Sequence, residues 1–291
     1  MSSSAPENQR PLASPATGTF DRVIAPRHGM VAIDFPELWR YRELFWQMSW
    51  RNVLIRYKQT YLGVAWAILQ PVLTMIVFTI IFGRVAKMSS NGAPYTVFNF
   101  AALLPWMFFA NALSESSNSL VASQNMITKI YFPRLIIPAG AVLSGILDFA
   151  ISFVILLGLM LWYHVPFTAH LLLLPFFFGL AFLAALGTGL WFSALNVKYR
   201  DVKYVVPFIV RMGIYISPVP YLSSEFYDRF GNWYGLNPLV GVIDGFRWCV
   251  LGANFEPNWA GFGIGAIVIG LMLVSGIYYF RSTEKTFADI I

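Results

Sequence analysis

Long uncharged apolar runs alternate with short polar ones along this chain. No charged residue occurs between Gln59 and Gly83, or between Pro257 and Phe280. About 20 apolar residues in a helix cross a hydrocarbon layer about 30 Å thick, so runs of this kind predict membrane crossings. Six follow from the pattern: Tyr61–Phe82, Tyr95–Leu113, Leu135–Tyr163, Pro166–Leu195, Tyr204–Val219 and Trp259–Phe280. The fifth is short and is interrupted by Pro207, Pro218 and Pro220, which cannot continue an unbroken helix.

The polar stretches are patterned too. Residues 1–33, rich in Ser, Pro and Ala, read as a flexible cytosolic tail. Residues 34–58 predict a helix capped by Asp34, with Pro36 in its first turn. Leu38, Tyr41, Phe45, Met48 and Ile55 recur on one face, and Arg40, Glu43, Gln47 and Arg51 on another. A basic, Trp-rich amphipathic helix of this type lies in a membrane interface. The remaining residues, 59–291, form the spanning domain. Within it, Pro218–Asn258 is too long and too apolar for a plain loop. Its run from Gly241 to Gly252 is too short to cross. It predicts one or two re-entrant helices on the outer side, punctuated by Asn237-Pro238 and Gly252. The fold class expected is all-α integral membrane.

Composition agrees: 57% of residues are hydrophobic and 12% charged, where a soluble domain carries about 25% charged residues. The net charge of +6 does not point to nucleic acid, because Lys and Arg sit mostly in short loops beside apolar runs, where they orient a membrane protein. With the amino terminus inside, 15 Lys and Arg fall on the inner side and four (Arg84, Lys87, Arg229, Arg247) on the outer. That asymmetry predicts both termini in the cytoplasm. The single cysteine, Cys249, excludes a disulfide framework within the chain.

Enzymatic chemistry finds little footing. The sequence has no phosphate-binding Walker A motif and no metal-ligand spacing, and His28, His164 and His170 are scattered. No catalytic residue and no metal site is expected. Asp148 and Arg211 fall inside predicted crossings. A charge at mid-membrane costs at least about 2.5–3.5 kcal/mol, so each should face the bundle interior or a cavity, and the two could pair. A structural ion pair, or an Arg211 that snorkels to the interface, is the plainer alternative. Glu115, at the end of the second crossing, is expected to be solvated. Tyr61, Trp66, Phe208 and Tyr215 belong to a large aromatic set in or near the crossings. Such rings sit in lipid-facing belts or line a path for sugar. Two inner loops, Gln124–Pro138 and Asn196–Pro207, mix aromatics with basic charge, as docking surfaces do.

Five stretches together resemble a known family. They begin at Arg56-YKQTYLGVAWAILQP, Leu103-LPWMFFANAL, Asn125-MITKIYFPRLIIP, Ala194-LNVKYRDVKYVVP and Asn237-PLVGVIDGFRW. In this order they are similar to permease subunits of type-2 ABC exporters, in particular those that export lipid-linked polysaccharides such as O-antigen, capsule and teichoic acid. The resemblance implies a homodimer in the bacterial inner membrane, with two copies of a separate ATP-binding subunit that holds ATP and Mg. It implies that Lys129, Ile130, Tyr131, Phe132 and Arg134 couple to that ATPase, with Lys198, Tyr199, Arg200 and Asp201 in the second inner loop. Tyr61, Trp66, Phe208 and Tyr215 would line the channel, with external gate helices in Pro218–Gly252. Arg51, Arg56 and Lys58 would attract the pyrophosphate of an undecaprenyl-linked glycan. Other readings are an exporter of a small lipid or drug, a polytopic enzyme acting on lipid-linked sugars, and an ion-coupled transporter. The last usually carries inverted repeats, and none is visible here.

Overall fold

The computed structural model describes residues 39–58, 63–129, 132–284 and 287. The polar tail, Leu38, Tyr61, Ile130 and Tyr131 lie outside them. Among the described residues every regular element is helical. In chain order they are α1 (Arg42–Lys58), α2 (Gly63–Phe78, continued by a π-helical turn Thr79–Val85) and α3 (Tyr95–Ala122). Then come the single turn α4 (Gln124–Ile127), α5 (Ile136–Trp162), α6 (Leu174–Lys198) and α7 (Val202–Ile216). The chain ends with α8 (Ser224–Phe230), α9 (Pro238–Leu251) and α10 (Trp259–Glu284).

Five stretches are long and apolar enough to cross a bilayer: Ala65–Val85, Tyr95–Ala122, Ile136–Trp162, Ala169–Lys198 and Trp259–Glu284. The expected fifth crossing is α7, whose 15 residues extend about 22 Å at 1.5 Å per residue. That is less than the roughly 30 Å of a hydrocarbon core. It stops at Ile216 because Ser217 precedes Pro218 and takes an extended backbone, ψ 148°. The second crossing instead runs nine residues beyond its expected end, Leu113. Its Ser-rich tail stays helical because the side chains donate back to the preceding turn. Ser114 Oγ reaches Ala110 O at 2.8 Å, and Asn118 Nδ2 and Ser117 Oγ reach Ser114 O at 2.8 and 2.9 Å.

α3 is the axis of the bundle. In α3, 83% of the apolar stretch is buried, against 17–39% in the other four spans. It packs on α2, α5, α6, α7 and α9. Connectivity places α1, α4, the α6–α7 turn and the end of α10 at one end. This basic end holds Lys129, Arg134, Lys198, Arg200 and Arg281. A second apolar cluster, including Met48, Leu120, Ile127, Phe132 and Phe280, closes it. The opposite end is built from residues 217–258 around α9, which runs buried from Leu239 to Arg247. Asn237 caps α9 by accepting the Leu239 N–H at 3.2 Å, and Gly252, at φ +85°, ends it. These are the punctuation marks expected from the sequence.

α1 turns Tyr41, Phe45 and Met48 inward at the expected spacing. Ile55, expected on the same face, is 55% exposed. The inward stripe continues through Ser49 to Arg56, because α1 lies along α5. A Cβ on Gly140 of α5 would sit 3.2 Å from the Ser49 hydroxyl.

α6 and α10 touch backbone to backbone: a Cβ on Gly187 would lie 2.8 Å from the Leu273 backbone. Gly187→Ala must part the two helices. Overpacking costs about 1–3 kcal/mol, more than the roughly 0.8–1.0 kcal/mol gained in helix propensity. Gly263 has nothing within 4 Å of its Cβ position, so Gly263→Ala should not destabilise. Thermal unfolding of the two detergent-solubilised variants should show a fall for Gly187→Ala alone.

Candidate functional site

Three charged side chains from three helices meet near the end of α1. The Arg56 guanidinium donates to Asp148 of α5 and to Glu115 of α3. The Tyr57 hydroxyl donates to the other Asp148 oxygen, and Ser144 Oγ reaches Glu115 Oε2 at 3.3 Å. The register explains the meeting. Ser49 sits beside Gly140; both helices rise 1.5 Å per residue, so seven residues on in α1 and eight in α5, Arg56 arrives within about one residue's rise of Asp148. Two expectations are corrected. Asp148 pairs with Arg56 and not with Arg211, and Glu115 is part of the same ion network and not merely solvated. Arg56 is therefore committed to two carboxylates. It forms the polar mouth of a cavity of about 550 Å³ whose walls include Trp66, Asn111 and Phe149.

Arg211 stands elsewhere. On α7, Val202 and Val206 are buried, while Tyr204 (68%), Phe208 (63%) and Tyr215 (52%) are exposed. Positions 204, 208, 211 and 215 follow the i, i+4, i+7, i+11 spacing of one helical face. Arg211 lies on that stripe, exposed, and has no ion-pair partner among the described residues. α7 is held by its other face, where Gly213 leaves room for the Trp106 ring of α3. Of the expected channel residues, Trp66, Phe208 and Tyr215 are exposed on the protomer, and Tyr61 lies outside the described residues. They can enclose a path only with a second surface.

The first basic-end loop divides its residues. Lys129 points outward. Phe132 is buried in the cluster with Phe280 and Phe287. Arg134 turns to α10: its backbone N–H donates to Glu284 Oε1 at 3.1 Å, and its guanidinium to the Glu284 carbonyl. Ile130 and Tyr131 lie outside the described residues. In the second loop Lys198, Tyr199, Arg200 and Asp201 are all exposed, with the Lys198 ammonium 5.3 Å from the Tyr199 ring centre. On α1, Arg51 and Lys58 are exposed too. No group of three or more His, Cys, Asp or Glu that could hold a metal occurs among the described residues.

Arg247, counted on the outer side and within the expected re-entrant run, is 1% exposed. Its guanidinium lies 3.7 Å from the Phe98 ring centre and donates to Val219 O (2.8 Å), Tyr221 O (2.9 Å) and Phe98 O (3.4 Å). The Tyr221 and Tyr234 hydroxyls are 3.0 Å apart, and both reach the Ile216 carbonyl. The chain leaving α7 is thereby tied to α9 and α3. Burial pushes the Asp244 carboxyl, one turn before Arg247, up to about 6, against the pull of Arg247 and Ser223. The signal for this pair was legible: opposite charges at i and i+3 inside an otherwise apolar short helix.

Removing Arg56 leaves two carboxylates facing each other without a cation, whereas Asp148→Asn leaves one ion pair intact. Breaking a fully buried pair costs about 3–5 kcal/mol. These side chains are 21–38% exposed, and solvent screening reduces the expected loss for Arg56→Ala to about 1–2 kcal/mol. Asp148→Asn should cost less. Thermal unfolding in detergent reads the order, and an Asp148→Asn loss equal to or above that of Arg56→Ala contradicts the network.

Comparison with known proteins places this architecture. The family model described as ABC-2 type transporter matches residues 43–251. The O-antigen export system permease protein RfbA of Myxococcus xanthus is 26% identical over 257 residues, covering 88% of this chain and 98% of that protein. A Klebsiella pneumoniae protein of the same name is 26% identical, covering 83% and 92%. The polysialic acid transport protein KpsM of Escherichia coli is 23% identical, covering 81% and 91%. The match takes in α1 and every element from α2 to α9, and with it this chain belongs to the ABC-2 type transporter family.

Proposed function

We propose that this chain is the channel-forming permease subunit of an ATP-driven exporter of lipid-linked polysaccharide. It acts as a homodimer with two copies of a separate ATP-binding subunit, which carries ATP and Mg. It lies in the inner membrane with both termini in the cytoplasm, so the basic end is the cytoplasmic one and α9 dips from the outer side. The observation that carries the reading is the exposed stripe Tyr204, Phe208, Arg211 and Tyr215 on α7. Two such stripes, one from each protomer, enclose a path. Aromatic faces bury the apolar faces of sugar rings without fixing register, which suits a polymer that slides. Arg211 supplies donors to hydroxyls and anions in a path wet enough to keep it charged. The names of the relatives point to the same class of cargo.

The remaining charges take roles from their exposure. Arg51 and Lys58, on the outer face of α1, attract the substrate pyrophosphate at the membrane surface, each worth about 1 kcal/mol. Arg56 does not serve as a free anchor, because Asp148 and Glu115 already neutralise it. The ATP-binding partner seats on the 124–135 loop and the exposed 198–201 turn. Its cycle biases two arrangements of the dimer, since a permease without its own energy source can only follow differential binding.

Deletion of the gene should abolish surface polysaccharide and leave lipid-linked glycan in the cytoplasm. In the purified complex, lipid-linked glycan should stimulate ATP hydrolysis. Equal stimulation by a glycan-free lipid would make the chain an exporter of small lipids. Phe208→Ala combined with Tyr215→Ala should slow export about tenfold, a loss of roughly 1.4 kcal/mol. Leu172→Ala, more exposed still but outside α7, should not.

A further inference from the structure

The two ends of α10 are tied to different parts of the molecule by different means. At the basic end the tie is polar. Glu284 accepts the Arg134 backbone N–H through its carboxylate and the Arg134 guanidinium through its carbonyl, while Arg281 reaches the same carboxylate at 2.9 Å. Phe280 and Phe287 pack edge to face beside this contact, in the cluster that holds Phe132.

At the opposite end the tie is steric. A Cβ on Gly261 would overlap the Tyr227 hydroxyl of α8, and one on Gly235 would overlap the Gly261 backbone. A Cβ on Gly241 of α9 would lie 2.9 Å from the Phe262 ring. The segment containing α8 and α9 therefore rests on the first turns of α10 with no slack.

Between these ends α10 is continuous. Its 26 residues extend about 39 Å, and it contains no Pro, whereas α2, α3 and α7 each hold one in their interior. Its one Ser-Gly pair, a sequence at which helices kink, is braced by α6. Trp191 Nε1 donates to Ser275 Oγ at 3.0 Å, Trp191 stacks on Tyr279 at 4.4 Å, and Gly276 abuts Gly187.

We propose that Glu284 is a positioning residue that fastens the 124–135 loop to α10, and that α10 transmits displacement of this loop as a strut to the α8–α9 segment across the membrane. The inference rests on the reading of that loop as the seat of the ATP-binding partner. It adds which element carries the motion and which residue engages it. The carboxylate–backbone bond makes the chemistry specific: Gln at 284 keeps an acceptor for the Arg134 N–H, and Leu does not.

The test uses the full permease–ATPase complex in lipid nanodiscs. Trp233, 77% exposed in the external segment, is replaced by Cys as a maleimide-labelling site, with the buried Cys249 as a silent background. Adding ATP should change the labelling rate at least about fivefold, the lower range of measured allosteric couplings. With Glu284→Leu that change, normalised to ATP turnover, should nearly vanish, and with Glu284→Gln most of it should remain. Gly261→Ala, which parts α10 from α8 at the far end, should also remove it and serves where Glu284→Leu fails to assemble. A response of wild-type size in Glu284→Leu, or in Gly261→Ala in its place, overturns the strut while leaving the export function standing. Absence of an ATP-linked labelling change in the otherwise wild-type complex likewise overturns the strut alone, and a permease that assembles with no ATP-binding subunit overturns both.

Discussion

Hydrocarbon offers no hydrogen bonds, and the structure is an answer to that constraint. Backbone groups are satisfied within helices, and irregular chain at the far end is covered by α9 and α10. Charges obey the same rule. Arg56 is enclosed by two carboxylates and Arg247 by three carbonyls and a ring. Arg211 is the exception, since the protomer gives it neither. A charge on an exposed helical face within an aromatic stripe needs water, a ligand or a second protein surface. Within this chain that requirement is left to the surroundings of α7.

The same constraint sorts the helices by how much of each is buried. α3 is buried on nearly all sides, and both charged sites are fastened to it, Arg56 through Glu115 near one end and Arg247 through Phe98 near the other. α1, α3 and α5 are thereby one unit at the basic end, and α3, α9 and the chain after α7 are one unit at the other. α2 keeps only a small part of its apolar stretch buried, 17%, and α7 presents a full face outward. α2 and α7 carry the exposed aromatic positions Trp66, Phe208 and Tyr215.

Much of this was legible in the sequence. Five of the six expected spans followed from hydropathy, because membrane insertion depends on composition over a whole helix and hardly on its neighbours. α9 was marked out by Asn237-Pro238 and Gly252, which act locally. The Ser-rich end of α3 was not legible as helix, since Ser and Asn favour loops in general and stay helical here by bonding to their own backbone. The partner of Asp148 could not be read either. It depends on α1 lying along α5 in one register, and no local pattern encodes that angle. Arg134 shows the same limit: a basic residue in a loop looks like a contact for a partner, and only the fold reveals that it turns back to Glu284.

The balance of charge around α1 bears on how an anionic headgroup can approach. Arg51 and Lys58 are two turns apart on the exposed face, and Arg56 is on the inner face with Asp148 and Glu115. The outer face is positive, and on the inner face the cation Arg56 is paired with two carboxylates. An anion near α1 meets exposed cations on the outer face, whereas Arg56 is met only together with two carboxylates. Surface attraction weakens within about 8–10 Å in physiological salt, so the anion is sorted only at close range, where the two faces differ. The ionic network that joins three helices thus occupies the inner face of α1, and Arg51 and Lys58 stay exposed on the other.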